Sequence, residues 1–250
     1  GFDASQLKSN RYFKICKFSE KQILKSFAVS NGLRQLFIDS GICKSENIST
    51  IHHGFDLQEV NIKPNETYRK SPQQLVILGR IIPFKGHIHL IEALAKIKVH
   101  YPLIHLNIVG HGDEDLIQQL KTRIKELRLT ENVTFTGYQS NIYDYLGNAD
   151  IMVVPSISEG FGLIFLEALN AKIPIIGFDV PATNEIIEDG VNGLLVKLKD
   201  ETELAQKIVE LLKSDELKST FSENGFKKLK KYYSLNRMVD QTVQFYETAI

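Results

Sequence analysis

Several features that would mark common protein classes are missing from this chain. It has only two cysteines among 250 residues, Cys16 and Cys43. They form neither the spacing of a zinc site nor a disulfide framework, which favours a reducing compartment. The 30 basic residues balance the 30 acidic ones, so the chain lacks the excess positive charge that attracts nucleic acid. We therefore expect no nucleic-acid partner.

Long apolar stretches are also absent. No apolar run approaches the length of a membrane span, and residues 1–5 do not resemble a signal peptide. We therefore expect a soluble, cytoplasmic protein. A chain of 250 residues is long enough for one large domain or two small ones.

Short apolar segments alternate with helical patterns from residue 75 onward. The predicted strands are 75–78, 104–109, 133–136, 151–155, 174–177 and 194–196. Helices are predicted to begin near residues 86, 113, 141, 162 and 182, and further helices span 201–212, 216–232 and 235–248. This alternation predicts an α/β fold, a Rossmann-like doubly wound parallel sheet, with strand order 3-2-1-4-5-6.

The residues before this pattern form a less complete unit. Residues 6–24 have helical spacing, 27–30 predict a strand, 33–38 predict a helix capped by Asn31, and 48–52 predict another strand. This short αβαβ segment, residues 1–58, is too small for a domain of its own. A polar stretch with two prolines, 59–74, predicts a linker.

A strand-to-helix turn with two glycines carries the most chemical information. Gly160 and Gly162 lie where a helix begins, so a ligand can approach backbone N–H groups that have no partner inside the helix. Such a helix start binds anions. Two carboxylates, Glu159 and Glu167, flank the glycines and suit hydroxyl groups. The combination predicts a ligand with both a phosphate and a sugar.

The loop after the first predicted strand supplies positive charge. Arg80 and Lys85 lie five residues apart on it, and the predicted strand order brings this loop beside the Glu159 turn. Both side chains could therefore bind a diphosphate, the arginine as a fork and the lysine as a point charge. Four predicted strands end at glycines, which suit a binding edge but also tight turns alone: Gly79, Gly110, Gly137 and Gly177.

These residues resemble a known family. Gly79-Arg80 followed by Lys85-Gly86, and the carboxylates Glu159 and Glu167 around Gly-Phe-Gly, are similar to the donor-site signature of retaining glycosyltransferases of the GT-B fold, family 4. Segments 109–112, 135–138, 149–150, 155–156 and 185–195 resemble the family as well. The resemblance extends from about residue 27 to the C-terminus.

The resemblance implies roles for individual residues. Arg80 and Lys85 would bind the donor diphosphate and stabilise its growing charge, helped by amides at the helix start. Glu167 would accept hydrogen bonds from the ribose, and Glu159 would hold hydroxyls of the transferred sugar. The implied catalytic residues are Arg80, Lys85 and Glu159; the implied donor-binding residues are Gly79, Gly86, Gly137, Tyr138, Gly160, Phe161, Gly162, Leu163 and Glu167.

The implied reaction is transfer of a sugar from a UDP-, GDP- or ADP-sugar to a glycan, lipid or other acceptor, with retention at the anomeric carbon. Polysaccharide or glycoconjugate biosynthesis is the expected setting. Front-face displacement assisted by the leaving phosphate is one mechanism, and a covalent Glu159 intermediate is the alternative. No cofactor and no metal are implied, because two cations and a helix end already neutralise the diphosphate. Glycoside hydrolysis also uses two carboxylates but needs no phosphate site.

The chain departs from the family pattern at its N-terminus. Family members have two Rossmann-like domains, and here only residues 1–58 would remain of the N-terminal, acceptor-binding one. Residues 75–234 would form the donor-binding domain, and helix 235–250 would cross back toward the missing part. The chain is then a fragment or a subunit with a separate partner chain, and we expect poor activity from it alone.

Two alternative functions stay open at this point. The chain could be a non-catalytic nucleotide-sugar-binding subunit, or a GT-B-fold enzyme of another kind such as a nucleotide-sugar epimerase. The lysine-rich segment 227–231 predicts a solvated helix face, and the alternative is peripheral attraction to an anionic membrane.

Overall fold

The computed structural model describes residues 25–57 and 72–249. The predicted helix at 6–24 and nearly all of the predicted linker lie outside these ranges. Gln74, assigned above to the linker, is the buried first residue of a strand, and its N–H donates to Asp150.

A parallel six-stranded sheet forms the centre of the described chain. Its strands are β3 (Gln74–Leu78), β4 (His105–Val109), β5 (Val133–Gly137), β6 (Ile151–Val154), β7 (Ile175–Phe178) and β8 (Leu194–Val196). They lie side by side in the order β5-β4-β3-β6-β7-β8. Taken in chain order within this sheet, that arrangement is 3-2-1-4-5-6, so the predicted doubly wound topology is confirmed.

Every residue of β3, β4, β6 and β7 is buried. Such strands need helices on both faces of the sheet. Their side chains point alternately to the two faces and belong to two separate cores. Leu75 and Ile77 belong to the core on one face, whereas Val76 and Leu78 belong to the core on the other. This division follows from the period of two along a strand.

The helices of the sheet domain are assigned to the two faces by their apolar residues. The first face is covered by α2 (His87–Lys98), α3 (Glu114–Glu126) and α7 (Glu201–Leu212). The second is covered by α4 (Tyr143–Leu146), α5 (Leu163–Asn170) and much of α8 (Asp215–Tyr232). The remaining helices are the one-turn α6 (Thr183–Ile186) and the last helix, α9 (Leu235–Ala249).

Residues 25–57 form a small separate unit, with β1 (Ser26–Ala28) and β2 (Ile48–Thr50) paired in parallel and α1 (Asn31–Asp39) between them. The predicted helix cap was wrong by one residue, because Ser30 and not Asn31 accepts the hydrogen bond from the Leu33 N–H.

The last helix contacts this small unit. Lys25 Nζ donates to the Thr248 carbonyl at 2.8 Å, and the rings of Phe27 and Phe245 meet edge to face. Apolar side chains of α9 remain exposed beside this contact, namely Leu235, Val239, Val243 and Tyr246.

Candidate functional site

A cleft opens where β3 and β6 end, at the carboxyl edge of the sheet. Its volume of about 460 Å³ lies within the range of small-molecule sites. The connection after β3 leads to a helix on one face of the sheet, and the connection after β6 leads to a helix on the other face. This divergence leaves a crevice between the two loops. The cleft is lined by Gly79, Arg80, Ile82, Phe84, Lys85, Ser158, Glu159, Gly162, Leu163, Ile164 and Glu167.

The loop after β3 is packed closely against the loop after β6. Gly86 has a φ of +67°, and a Cβ there would lie 1.8 Å from the Pro155 carbonyl oxygen. The Ile157 N–H donates to the Phe84 carbonyl at 2.8 Å. Glycine is therefore required at position 86, and the two loops are held in a fixed relation.

The two loops are also joined by an ion pair. Lys85 Nζ lies 2.5 Å from Glu159 Oε1, and the two side chains are 18% and 7% exposed. The sequence pattern predicted separate ligand contacts for these groups. An ammonium carries three protons, so Lys85 can keep this bond and still donate to a ligand in the cleft.

The start of α5 supplies backbone donors to the same cleft. Gly162 precedes the helix with φ 84° and ψ 78°, and among the described residues no side chain caps it. The first turn contains no acidic residue. A carboxylate from the preceding loop does lie close, because the Glu159 carboxyl carbon would be 3.6 Å from a Cβ at Gly162, and its charge is balanced by the ion pair with Lys85. The Cβ of a residue at Gly160 would have nothing within 4 Å, which leaves room for an approaching ligand.

Glu167 lies one turn inside α5 and lines the cleft. Burial raises the pKa of its carboxyl. Burial is the main cause that raises the pKa of the Tyr143 phenol. A hydrogen bond with Asn170 opposes this shift, and the nearby charge of Glu167 adds to it. The sequence did not single out Tyr143, because its proximity to Glu167 comes from the packing of α4 on α5.

The structure brings seven of the predicted site residues together around the cleft: Gly79, Arg80, Lys85, Glu159, Gly162, Leu163 and Glu167. Gly86 shapes the loop behind it, and Gly160 lies in the adjoining turn. Gly137 ends β5, and Tyr138 after it is 79% exposed. Their roles in donor binding, which the resemblance implies, remain predictions.

Phe161 differs in its surroundings. Its side chain is buried and is not part of the cleft lining, and its ring contacts those of His52, His53 and Tyr233. Only its backbone amide stays available for the predicted role at the helix start. Sequence reasoning missed the remaining cleft residues, Ile82, Phe84, Ser158 and Ile164, because they are apolar or common loop residues without a distinguishing pattern.

The described ranges, 25–57 and 72–249, have neither a metal-binding cluster nor a membrane-spanning helix. They contain no group of three histidine, cysteine, aspartate or glutamate side chains placed to bind a metal ion. No helix within them combines the length and apolar character needed to cross a bilayer.

The six-stranded parallel sheet, with its cleft at the carboxyl edge, is the fold of GT-B glycosyltransferases. Anabaena HepE, solved in complex with UDP and glucose, superposes with a TM-score of 0.84 at 21% identity, covering 98% of this chain and 69% of HepE. Residues 59–228 match the family described as glycosyl transferases group 1. The chain belongs to that family.

Curated relatives include glycosyltransferases of bacterial polymers and small molecules. The poly(glycerol-phosphate) alpha-glucosyltransferase of Bacillus subtilis is 26% identical over 238 residues, which are 91% of this chain and 33% of that protein. The N-acetyl-alpha-D-glucosaminyl L-malate synthase of Bacillus anthracis is 30% identical over 212 residues, 82% of this chain and 53% of that enzyme. The chain thus spans between a third and about half of these two relatives.

Proposed function

We propose that this chain is the donor-binding part of a retaining glycosyltransferase of family 4, which transfers a sugar from a nucleoside-diphosphate sugar. The observation that carries the proposal is the composition of the cleft at the ends of β3 and β6. Arg80, Lys85 and the α5 start line it together with Glu159 and Glu167. Cations and free amides suit a diphosphate, and carboxylates suit the hydroxyls of sugars.

In the proposed complex the diphosphate lies between Arg80 and the start of α5. Arg80 donates its paired N–H groups to phosphate oxygens, and Lys85 donates a proton that Glu159 does not use. The amides near Gly162 add a fixed positive potential. These donors stabilise the negative charge that develops on the diphosphate as the sugar leaves, so they act on the transition state more than on the ground state.

For the transfer itself we favour front-face displacement. The bond between the anomeric carbon and the phosphate oxygen breaks, and an acceptor hydroxyl oxygen bonds to the same face of that carbon. The hydroxyl proton passes to the departing phosphate oxygen. Configuration is retained, and the reaction needs neither a cofactor nor a metal.

The alternative, covalent attack by Glu159, fits the geometry less well. Lys85 binds Glu159 Oε1 at 2.5 Å, and such a charge-assisted hydrogen bond reduces the carboxylate's nucleophilicity. A carboxylate held in this way is better suited to accept hydrogen bonds from hydroxyls of the transferred sugar. In this proposal Glu167, one turn into α5, accepts hydrogen bonds from the ribose.

The acceptor is not defined by the described residues. Relatives are longer than this chain, and we propose that acceptor contacts come from a domain that precedes the donor-binding part or from a separate partner chain. Residues 25–57 would belong to that acceptor-binding part. The acceptor would be a glycan, a lipid-linked sugar or another cytoplasmic hydroxyl compound, reached in polysaccharide or glycoconjugate synthesis.

A thermal-shift panel of UDP, GDP, ADP and their sugars tests the proposal, because a ligand that binds only the folded state raises Tm. UDP is the first ligand to test, since HepE binds it. Arg80→Ala and Glu167→Ala should remove the shift. Arg237→Ala, which changes an exposed arginine on α9, should leave it unchanged. A panel without any shift, or a shift that survives Arg80→Ala, would contradict the proposal.

A further inference from the structure

The small unit of residues 25–57 contacts the glycine turn directly. Ser30 Oγ donates to the Gly160 carbonyl at 2.6 Å and accepts the N–H of Leu33 at 3.0 Å. Ser30 is completely buried. One hydroxyl therefore both caps α1 and holds the turn that precedes α5.

Glu185 holds the start of α1 in place. Its carboxylate accepts the N–H groups of Asn31 and Gly32 at 2.9 and 2.7 Å, so its negative charge lies on the positive end of α1. His52 Nε2 lies 3.0 Å from the same carboxylate. A Cβ at Gly32 would lie 2.6 Å from Pro181 Cβ, which shows how closely α1 approaches the loop before α6.

Aromatic contacts complete this arrangement around Phe161, the residue between the two glycines. The ring centroids of His52, His53 and Tyr233 lie 5.9, 5.3 and 5.7 Å from that of Phe161. The hydroxyl of Tyr233 donates to the Glu185 carbonyl at 3.0 Å. Phe161 is thus held by three rings outside the cleft lining, and two of these residues, His52 and Tyr233, also contact Glu185.

We propose that Ser30, His52 and Glu185 are positioning residues for donor binding, which fix the Gly160–Gly162 turn so that its amides face the diphosphate. This inference rests on the proposed function, because it assigns these residues to the same cleft. None of them lines the cleft. Gly162 lines the cleft and a Cβ at Gly160 would meet nothing within 4 Å, whereas the Ser30 hydrogen bond and the Phe161 contacts hold the turn through residues outside the cleft lining.

The physical reason is preorganisation. A turn containing Gly160 and Gly162 has few side chains to restrict it, and glycine loses more conformational entropy on ordering than any other residue. If the turn were free, that entropy would be lost on donor binding and the affinity would fall. The Ser30 bond to the Gly160 carbonyl orders the turn beforehand.

Amide hydrogen exchange of the ligand-free protein tests the positioning step without assuming any ligand. Ser30→Ala should accelerate exchange in residues 159–165, and Ser30→Thr, which keeps the hydroxyl, should restore protection. The matched control is Ser214→Ala. Ser214 caps α8 through the Leu217 N–H and would lose a comparable cap without touching the turn.

Calorimetric titration with UDP then measures the consequence for donor binding. Ser30→Ala should weaken UDP binding about three- to tenfold, the value of one net hydrogen bond, whereas Ser30→Thr and Ser214→Ala should bind like the wild type. Glu185→Gln and His52→Gln provide a second route if Ser30→Ala does not fold, and both should raise exchange in 159–165.

The two proposals fail in different ways. Wild-type protein that binds no nucleotide would overturn the proposed function, while the exchange data would still decide whether the turn is held. Unchanged exchange in residues 159–165 for Ser30→Ala and Glu185→Gln would overturn the positioning role. Faster exchange in Ser30→Ala with unchanged UDP affinity would also overturn it, because a looser turn would then bind the ligand as well as the ordered one.

Discussion

Lys85 and Glu159 come from loops 74 residues apart in sequence and form an ion pair 2.5 Å long at the edge of the cleft. The pair connects the loop after β3 with the loop after β6. Its two members are predicted to bind different parts of a donor, and the ion pair gives each of them a second role in the scaffold. Substitutions must separate these two effects.

Lys85→Met should reduce both stability and nucleotide binding. Glu159 is only 7% exposed, and leaving it unpaired should lower the free energy of unfolding by up to about 3 kcal/mol. Loss of a charged hydrogen bond to the diphosphate should weaken UDP binding about 10- to 100-fold. Urea unfolding and calorimetric titration measure the two effects.

The double variant Lys85→Met/Glu159→Gln separates them. It removes the unpaired charge and should recover most of the lost stability, while UDP binding stays weak. Recovery of UDP binding in the double variant would mean that Lys85 serves the scaffold alone.

Substitution of the two glycines of the turn by alanine should affect stability very differently. Gly162→Ala should destabilise the protein by about 1–3 kcal/mol, because alanine is strained at positive φ and its Cβ would lie 2.7 Å from the Phe165 ring. Gly160→Ala should change stability by less than about 0.5 kcal/mol, since its Cβ would meet nothing within 4 Å.

Gly160→Ala should nonetheless weaken UDP binding, about three- to tenfold, if a diphosphate approaches that backbone. Thermal unfolding and calorimetry of the two variants make the comparison. Wild-type UDP affinity in Gly160→Ala would show that the ligand does not come near Gly160.

Much of the fold was predictable because its determinants are local. Continuous apolar segments such as Ile151–Val154 indicate strands buried on both faces, and the helical segments between them require parallel crossover connections. The strand order then places the loop of Arg80 beside that of Glu159. That part of the site follows from topology and needs no knowledge of side-chain packing.

The contacts behind the site were not predictable, because they join residues far apart in sequence. Ser30 and Gly160 are separated by 130 residues, and neither has a motif that announces the other. The same contacts explain the misplaced helix cap. Glu185 binds the N–H groups of Asn31 and Gly32, so these residues are the first two of the helix. Ser30 is therefore the cap, although serine and asparagine are both suitable cap residues.

The Glu185 contacts predict a dependence of stability on pH. Burial opposes ionisation of Glu185, but the hydrogen bonds from His52, Asn31 and Gly32 and the charge of His52 outweigh it and lower the pKa of the carboxyl from its usual 4.5. The stabilisation is therefore present above pH 4.5 and is lost as the pH falls through the lower, folded-state pKa. Tyr233, which also faces Glu185, is neutral across this range because its pKa is raised.

Glu185→Gln should therefore be less stable than the wild type at pH 7, by about 1–3 kcal/mol for the weakened hydrogen bonds. The difference should shrink below pH 4.5. Urea unfolding of both proteins from pH 7 to pH 3 measures it. A difference that stays constant down to pH 3 would show that the Glu185 charge contributes nothing.

His87, the first residue of α2, predicts a second loss of stability at low pH, this time from a buried imidazole. It is 3% exposed, and neither ring nitrogen has a hydrogen-bond partner among the described residues. Burial, and then the charge of Lys85, lowers the pKa of its imidazole from 6.5 to about 4. Between these two values the unfolded chain binds the proton and the folded chain does not, so stability falls as the pH falls.

His87→Leu should remove this penalty. The wild type should lose about 3 kcal/mol relative to His87→Leu between pH 7 and pH 4, and the variant should have the higher Tm at pH 5. His100→Leu, which removes an exposed imidazole shortly after α2, controls for the loss of a histidine as such. A stability difference between wild type and His87→Leu that does not change across this range would mean that the imidazole of His87 is protonated equally in the folded and unfolded chains, and it would contradict the prediction.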